Sequence, residues 1–325
     1  MAAWGRDVNA PHVVTVGEAM ALLVAQTPGP LAAVEHFSRS SAGAELNVAT
    51  GLARLGWRVG YISRVGQDPF GDYLLATLDR EGIDRSHVQV DTQHPTGFML
   101  KSREPEGQDP QIAYFRKGSA ASHLGPDDVP VQGLQGVRWL HLTGISVALS
   151  DSARALAQTL VQQARAAGAA VSFDPNLRAR LWPSQTAMVS GLNAWAAQAD
   201  LVMPGLSEGQ LLTGQTTPQD IASWYLDRGV PQVVIKLGPQ GAYVADAQGR
   251  ATVPGFQVQR VVDTVGAGDG FAVGVLSALL DGQSLADAAL RGNAIGARVV
   301  QYVGDSEGLP DPEQLAMALQ VRSCK

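Results

Sequence analysis

Short apolar runs alternate with amphipathic segments along most of the chain. His12–Gly17 (HVVTVG) reads as a buried strand, and Glu45–Leu55 then places Leu46, Ala49, Leu52 and Ala53 on helical spacing. Val59–Val65 reads as a second strand. Pro69–Glu81 reads as a helix, with proline at its start and Gly82 just past its end. The rhythm continues with strands at Val137–Thr143, Ala170–Asp174, Asp200–Met203 and Gln232–Lys236, and helices at Ser152–Ala167 and Ile221–Arg228. Three helices, Ala267–Asp281, Leu285–Val303 and Pro312–Val321, are expected to complete the chain. Strands separated by helices predict a mostly parallel sheet covered by helices on both faces, the α/β class.

Two segments break that rhythm. Ala19–Ser41 and Gly97–Arg116 hold short strand-like pieces, among them GFMLKS and QIAYFR, with no helix between them. The polar turn Glu104–Pro110 between the latter two is rich in proline and glycine, a hairpin signal. These segments predict a small β lid, at about 19–41 and 97–116, inserted in one α/β domain that spans residues 1–325, and the lid is expected to close on a ligand.

Composition narrows the function. Hydrophobic residues make up 45% and charged residues 17% of 325 positions, enough for a large core and against wholesale disorder. With 24 basic and 30 acidic side chains the net charge is −6, which sets up no field for a nucleic-acid backbone. The longest apolar run, Phe271–Leu280, is far short of the roughly 20 residues that span a bilayer, so no membrane association is expected. The single cysteine, Cys324, allows no intrachain disulfide, and the six histidines show no paired spacing, so neither a cysteine-based nor a histidine-based metal site is expected. The N-terminal residues lack the apolar core of a secretion signal, and a cytoplasmic location follows as the expectation.

The stretch that carries chemistry is Asp263–Leu276, DTVGAGDGFAVGVL. Gly266, Ala267 and Gly268 lie where a loop enters a helix of small apolar residues. The N–H groups of a first helical turn have no intrahelical partner, and the helix dipole adds positive potential. Backbone without bulky side chains lets an anion approach them closely. Asp269 falls inside that first turn. There a carboxylate is suited to taking a proton from a hydroxyl that attacks a phosphoryl group, while the hole meets the charge developing in transfer. On GAGD alone, a tight helix start with Asp269 compensating the dipole is the plainer reading.

The longer pattern changes that balance. DTVGAGDGFAVGVL resembles the C-terminal signature of the ribokinase-type (pfkB-type) carbohydrate kinases, and AGAELNVATGLARLG (Ala42–Gly56) resembles their sugar-binding signature, about 220 residues earlier and in the same order. The resemblance covers nearly the whole chain. It implies a ribokinase-like three-layer α/β/α sandwich with a nine-stranded sheet and a β lid. No GxxxxGK[ST] is present, and GAGDGF departs from GxGxxG at Phe271, so P-loop and dinucleotide-binding readings lose their support.

Within that family the likeness is to 2-keto-3-deoxygluconate kinases, through AGAELNVA, IAYFRKGSAAS (Ile112–Ser122), HLTGISVALS (His141–Ser150) and DPNLRARLW (Asp174–Trp182). It implies transfer of phosphate from ATP to the terminal hydroxyl, giving 2-keto-3-deoxy-6-phosphogluconate. Tyr114, Arg116 and Arg178 fall where the subfamily's substrate contacts lie, and Gly43 and Asn47 fall where the first signature meets sugar hydroxyls. Guanidinium groups suit a sugar acid, because they offer a planar fork of donors to its carboxylate. Where some relatives carry a lid tyrosine, this chain has Met99. Asp305, in VGDSEG, lies where relatives bring an aspartate toward the substrate.

For ATP, Lys236, Gly238 and Gly241 in KLGPQG resemble the family's nucleotide loop, and a turn between the strands QVVIK and AYVAD accounts for the same residues. Asn293 occupies the position near the adenine; an asparagine on a helix surface is the plainer alternative. Glu208 matches the glutamate of an Asn-x-x-Glu motif that organises magnesium through water, with Gly205 in place of the asparagine. Mg²⁺ is expected to rest mainly on phosphates and water, with a monovalent cation as a further possibility. A homo-oligomer is the expected assembly. A kinase of fructose, ribose or the galactonate epimer, and a catalytically silent sugar or nucleotide sensor on the same fold, remain open alternatives at this point.

Overall fold

The computed structural model describes residues 10–104 and 110–320. Most of the expected lid turn, the final helix position Val321 and Cys324 lie outside the described residues. Among the described residues, no helix is long and apolar enough to cross a membrane.

The main sheet has nine strands. Those that follow the sequence rhythm are β1 (Val13–Val16), β4 (Val59–Gly66), β5 (Asp84–Asp91), β8 (Trp139–Thr143), β9 (Ala170–Asp174), β10 (Leu201–Val202) and β11 (Gln232–Lys236). They are parallel, and β12 (Gly241–Asp246) and β13 (Gly249–Pro254) close one edge antiparallel. The order is β13-β12-β11-β10-β9-β8-β1-β4-β5. A second sheet, order β3-β2-β6-β7, is formed by β2 (Met20–Ala25), β3 (Phe37–Ala42), β6 (Phe98–Lys101) and β7 (Ile112–Phe115). It coincides with the two segments that interrupt the βα alternation.

Helices cover both faces of the large sheet. On one side lie α3 (Asp151–Ala167), α4 (Gln185–Ala196) and α6 (Pro218–Leu226), in a core with Leu156, Leu160, Trp195 and Tyr225. On the other lie α1 (Ala44–Arg54), α2 (Pro69–Arg80), α7 (Ala267–Leu280) and α8 (Leu285–Val299), around Leu46, Leu52, Leu74 and Phe271. The central strands feed both cores in alternation: Val234 faces one, its neighbours Val233 and Ile235 the other. Burial on two faces is why such strands read as continuous apolar runs. α5 (Leu206–Thr213) and α9 (Pro312–Gln320) complete the helices.

Elements that differ from the sequence expectation have local causes. β5, with sequence DRSHVQVD, is too polar to read as a buried strand, and it lies at the sheet edge with β4 as its one neighbour. α4 and α5 contain Gly191 and Gly209, which weaken a helical pattern; a Cβ at Gly191 would meet the Trp182 ring at 2.5 Å. α8 ends at Val299 rather than Val303, because the Val300 carbonyl accepts from the N–H groups of Val262 (2.7 Å) and Asp263 (3.2 Å). That contact ties the end of α8 to the loop before α7.

α7 is buried almost throughout, and its closest neighbour is α8. At their crossing a Cβ on Gly274 would lie 2.5 Å from the Gly292 Cα. Backbone lies against backbone there, so neither helix can yield locally. Gly274→Ala is therefore expected to destabilise the protein by about 1–3 kcal/mol, the usual range for overpacking. Alanine's helix propensity, about 1 kcal/mol better than glycine's, works in the opposite direction. Urea unfolding midpoints of the two proteins check this, and a raised midpoint would mean that the two backbones are not in contact.

Candidate active site

The carboxyl ends of the parallel strands, where open α/β sheets place their ligands, open into a cavity of about 530 Å³ under the lid sheet. Residues from the β1–β2 connection, the start of α1, the ends of β9 and β11, the start of α7 and three lid strands line it.

Asp269 stands in the first turn of α7. The N-cap, Gly266, has φ +82° and offers no side-chain acceptor; the Ala267 N–H turns back to the Thr264 carbonyl at 3.4 Å, and the next N–H groups, of Gly268 and Asp269, have no side-chain cap among the described residues. Its left-handed backbone favours glycine, and space demands it: a Cβ there would come within 2.2 Å of the Asp305 carbonyl oxygen. Asn47 Nδ2 donates to Asp269 Oδ2 at 2.7 Å, and Asn176 Nδ2 lies 3.5 Å from Oδ1. Burial pushes the Asp269 pKa up, to about 7. The Asn47 hydrogen bond opposes this, Asp174 and Asp305 add to it, and Lys236 draws it back. The group is thus a carboxyl poised near neutrality beside an uncapped helix start.

Lys236, at the end of β11, directs its ammonium to Asp174 Oδ2 at 2.7 Å. Burial lowers its pKa, but Asp174 and Glu208 more than offset this, and the group stays charged. A Cβ on Gly268 would lie 3.6 Å from Lys236 Nζ, so the cation borders the helix start. Glu208 Oε2 accepts from Gly205 N–H at 2.7 Å, capping α5, and its Oε1 accepts from Leu177 N–H at 2.8 Å. With glycine at the N-cap, the glutamate supplies the side-chain cap of that turn, and the Lys236 N–H to the Pro204 carbonyl (2.8 Å) ties it to β11.

At the lid end, Arg116 makes an ion pair with Glu18 at 2.5 Å, and the Ser119 hydroxyl donates to the same carboxylate. Arg116 Nε is buried with no hydrogen-bond partner among the described residues. Tyr114, half exposed, sits across from Met99 in the β6–β7 register, and both line the cavity. Arg178 is exposed at the mouth, with Nη1 2.9 Å from the Leu177 carbonyl. Gly43 is the N-cap of α1 with φ +145°, and a Cβ there would strike the Glu18 carbonyl at 2.4 Å.

Eleven of the residues singled out in the sequence thus line one cavity: Gly43, Asn47, Tyr114, Arg116, Arg178, Glu208, Lys236, Gly266, Gly268, Asp269 and Asp305. Four do not line it. Ala267 lies in the same turn of α7 but outside the lining. Gly238 and Gly241 shape the β11–β12 turn, where a Cβ on Gly241 would meet the Val253 carbonyl at 2.1 Å. Asn293 Nδ2 donates to the carbonyls of Val253 and Pro254, both at 3.2 Å, and so joins α8 to β13.

Residues that the sequence reading left out are Glu18, Glu45, Asp174 and Asn176. Asn176 is the one non-glycine residue with positive φ (39°) among the described residues, in the bend after β9. The Asp-Pro-Asn turn after an apolar strand is the signal for it. Glu45 is fully buried, with the Thr143 hydroxyl 2.5 Å from Oε1. A glutamate on the buried face of an apolar helix, one turn before Ala49, is the pattern that could have marked it.

Comparison with known proteins adds four findings. The profile of the pfkB family of carbohydrate kinases matches residues 10–312. The chain is 49% identical over 310 residues to the 2-dehydro-3-deoxygluconokinase of Bacillus subtilis (strain 168), covering 95% of each protein. It superposes with TM-score 0.87 and 49% identity on a PfkB protein from Polaromonas sp. JS666, covering 94% of this chain and 99% of that one. It also superposes with TM-score 0.85 and 30% identity on a fructokinase from Vibrio cholerae O395 in a form with fructose, ADP and calcium ion bound, covering 96% of this chain and 99% of that one.

The hydrogen bond from Asn47 favours the ionised form of Asp269. Asn47→Ala should therefore raise the Asp269 pKa above about 7. A pH titration of ¹³C-labelled aspartate carboxyls by NMR measures it, and an unchanged or lower value would show that the amide does not hold the carboxylate in solution.

Proposed function

Because the chain belongs to the pfkB family of carbohydrate kinases, we propose that it transfers the γ-phosphoryl group of ATP to the terminal hydroxyl of 2-keto-3-deoxygluconate (2-dehydro-3-deoxygluconate). The observation that carries this reading is one cavity with two chemically different ends. A buried carboxyl stands in the first turn of α7 at one end, while Arg116 is held by Glu18 on the side of the small sheet and Arg178 stands exposed at the mouth. The first end suits proton removal and anion stabilisation; the second suits a sugar acid. The identity to the Bacillus subtilis relative, well above that to the Vibrio cholerae fructokinase, supports the same choice of substrate.

In this reading Asp269 Oδ accepts the proton of the attacking hydroxyl, and Asn47 holds the carboxylate in place for it. The first-turn N–H groups of α7 and the Lys236 ammonium stabilise charge on the phosphoryl oxygens. Arg116, oriented by Glu18, and Arg178 at the mouth bind the sugar carboxylate. Magnesium, when bound, neutralises phosphate charge. Among the described residues no cluster of three histidine, cysteine, aspartate or glutamate side chains could cage it. Asp174 is engaged by Lys236, and Glu208 by two backbone N–H groups, which fits contact through water rather than a protein cage.

An ADP-release assay across acidic and neutral sugars tests the substrate. The sugar acid is expected to give the highest kcat/KM; a higher value for fructose or ribose would overturn the reading. A charge-assisted hydrogen bond contributes about 1.5–3 kcal/mol, so Arg116→Lys and Arg178→Gln should each raise KM for the acid by about 10- to 100-fold. The effect on a neutral sugar should be much smaller.

Asp269→Asn should lower kcat by about 10²–10⁴ while ATP still binds. The wild-type rate needs the ionised carboxylate. Its rate should therefore climb with pH, about tenfold per unit at the acid end, and level off above a pKa of about 7. Near-full turnover by the Asn variant, or a rate that falls as pH rises from 5 to about 7, would remove Asp269 from this role.

A further inference from the structure

Lys101 is a lysine on a lid strand whose side chain is only 1% exposed. Along β6 burial alternates, so Met99 and Lys101 face the same way. Met99 lines the cavity, and two residues on the Lys101 ammonium reaches Asp263 Oδ2 at 2.5 Å and Asp305 Oδ1 at 2.9 Å. Both carboxylates belong to the surroundings of the helix start. Asp263 Oδ1 accepts from Val265 N–H at 3.1 Å, and Oδ2 from Gly304 N–H at 3.2 Å. Asp305 carries the carbonyl oxygen that lies against Gly266.

We propose that Lys101 is a positioning residue for phosphoryl transfer: from the lid it fixes the two acidic loops that shape the start of α7. A buried ion pair is weak evidence for stability, since well-packed apolar side chains serve as well or better. What this ammonium supplies is registry. One charge, held by two loops about 40 residues apart in sequence, sets the lid wall against the Gly266 turn. Displacing β6 would leave carboxylates buried without a counter-charge, which is costly. The root of the lid at Lys101 and the helix start therefore act as one body. The distance between a sugar held by the lid and a phosphoryl group at α7 is set by that body rather than by either part alone.

The proposal rests on phosphoryl transfer at this site but not on the identity of the sugar, so the test uses whichever sugar the wild type turns over best. In Lys101→Met, which keeps length and loses charge, kcat should fall by about 10- to 100-fold, as small misplacements of reacting groups do. KM for the sugar should stay within about threefold, because Lys101 does not touch the cavity. Melting temperature, read in parallel, shows that the assayed protein is folded. A kcat within about twofold of wild type, or a change in KM alone, would overturn the proposal and leave Lys101 a structural tie. Should the variant fail to fold, Asp263→Asn keeps the hydrogen-bonding shape and weakens the same tie. It should lower kcat by about fivefold or more at unchanged sugar KM, and an unchanged kcat overturns the proposal equally.

Discussion

A buried carboxyl group at a helix start binds the site together, because the cost of taking it out of water is met by specific neighbours. Asp269 is 9% exposed, surrounded by the acids Asp174 and Asp305. Isolated, such a carboxylate would be held protonated across the physiological range. The Asn47 amide, the Lys236 ammonium and the α7 dipole pull in the other direction, and the balance falls near neutrality. Each of those neighbours is placed by a different part of the chain. α1 supplies Asn47, the end of β11 supplies Lys236, and the Gly266 turn aims the helix. Moving any one of them shifts the proton affinity of the group, so the large sheet is the frame on which that affinity is set.

The packing of α7 follows from the same constraint. A helix whose first turn must reach the ends of the strands has its body in the core, and almost every residue from Asp269 to Leu280 is buried. Small residues allow it: Gly270 would meet Val299 and Gly274 would meet Gly292 if either carried a Cβ. The apolar stretch after GAGD, which could pass for mere hydrophobic filling, is therefore the rigid mount of the first turn. Rigidity there matters for chemistry, since donors aimed at developing charge act best when they need no rearrangement.

How much of this could be read from the chain depends on the range of the interactions. The Gly266–Asp269 turn was legible because its parts are adjacent in sequence, and the βα rhythm was legible because two-faced burial leaves continuous apolar runs. The second sheet was legible as an interruption of that rhythm, down to GFMLKS and QIAYFR as paired strands. β5 was not, because an edge strand with a wet face carries the polarity of a loop. The Glu18–Arg116 and Lys101–Asp305 pairs join residues about 100 and 200 positions apart, and no local pattern encodes such a partner. Lys236 was legible as part of a loop, yet it is the side chain, directed to Asp174 beside Gly268, that faces the cavity.

The charge of the cavity completes the physical picture. Six carboxyl groups line it against three cationic side chains, an unpromising field for a sugar acid and a triphosphate. Burial changes that field. Glu18, Glu45, Asp174, Asp269 and Asp305 all have raised pKa values, chiefly through desolvation. Lys236, the lysine of the cavity, also has a raised value, because Asp174 and Glu208 outweigh the effect of burial, and it keeps its charge. Burial thus eases proton uptake on the acidic side of the cavity, while the neighbouring carboxylates hold the charge of Lys236. A count of acidic and basic residues along the chain does not reveal that asymmetry.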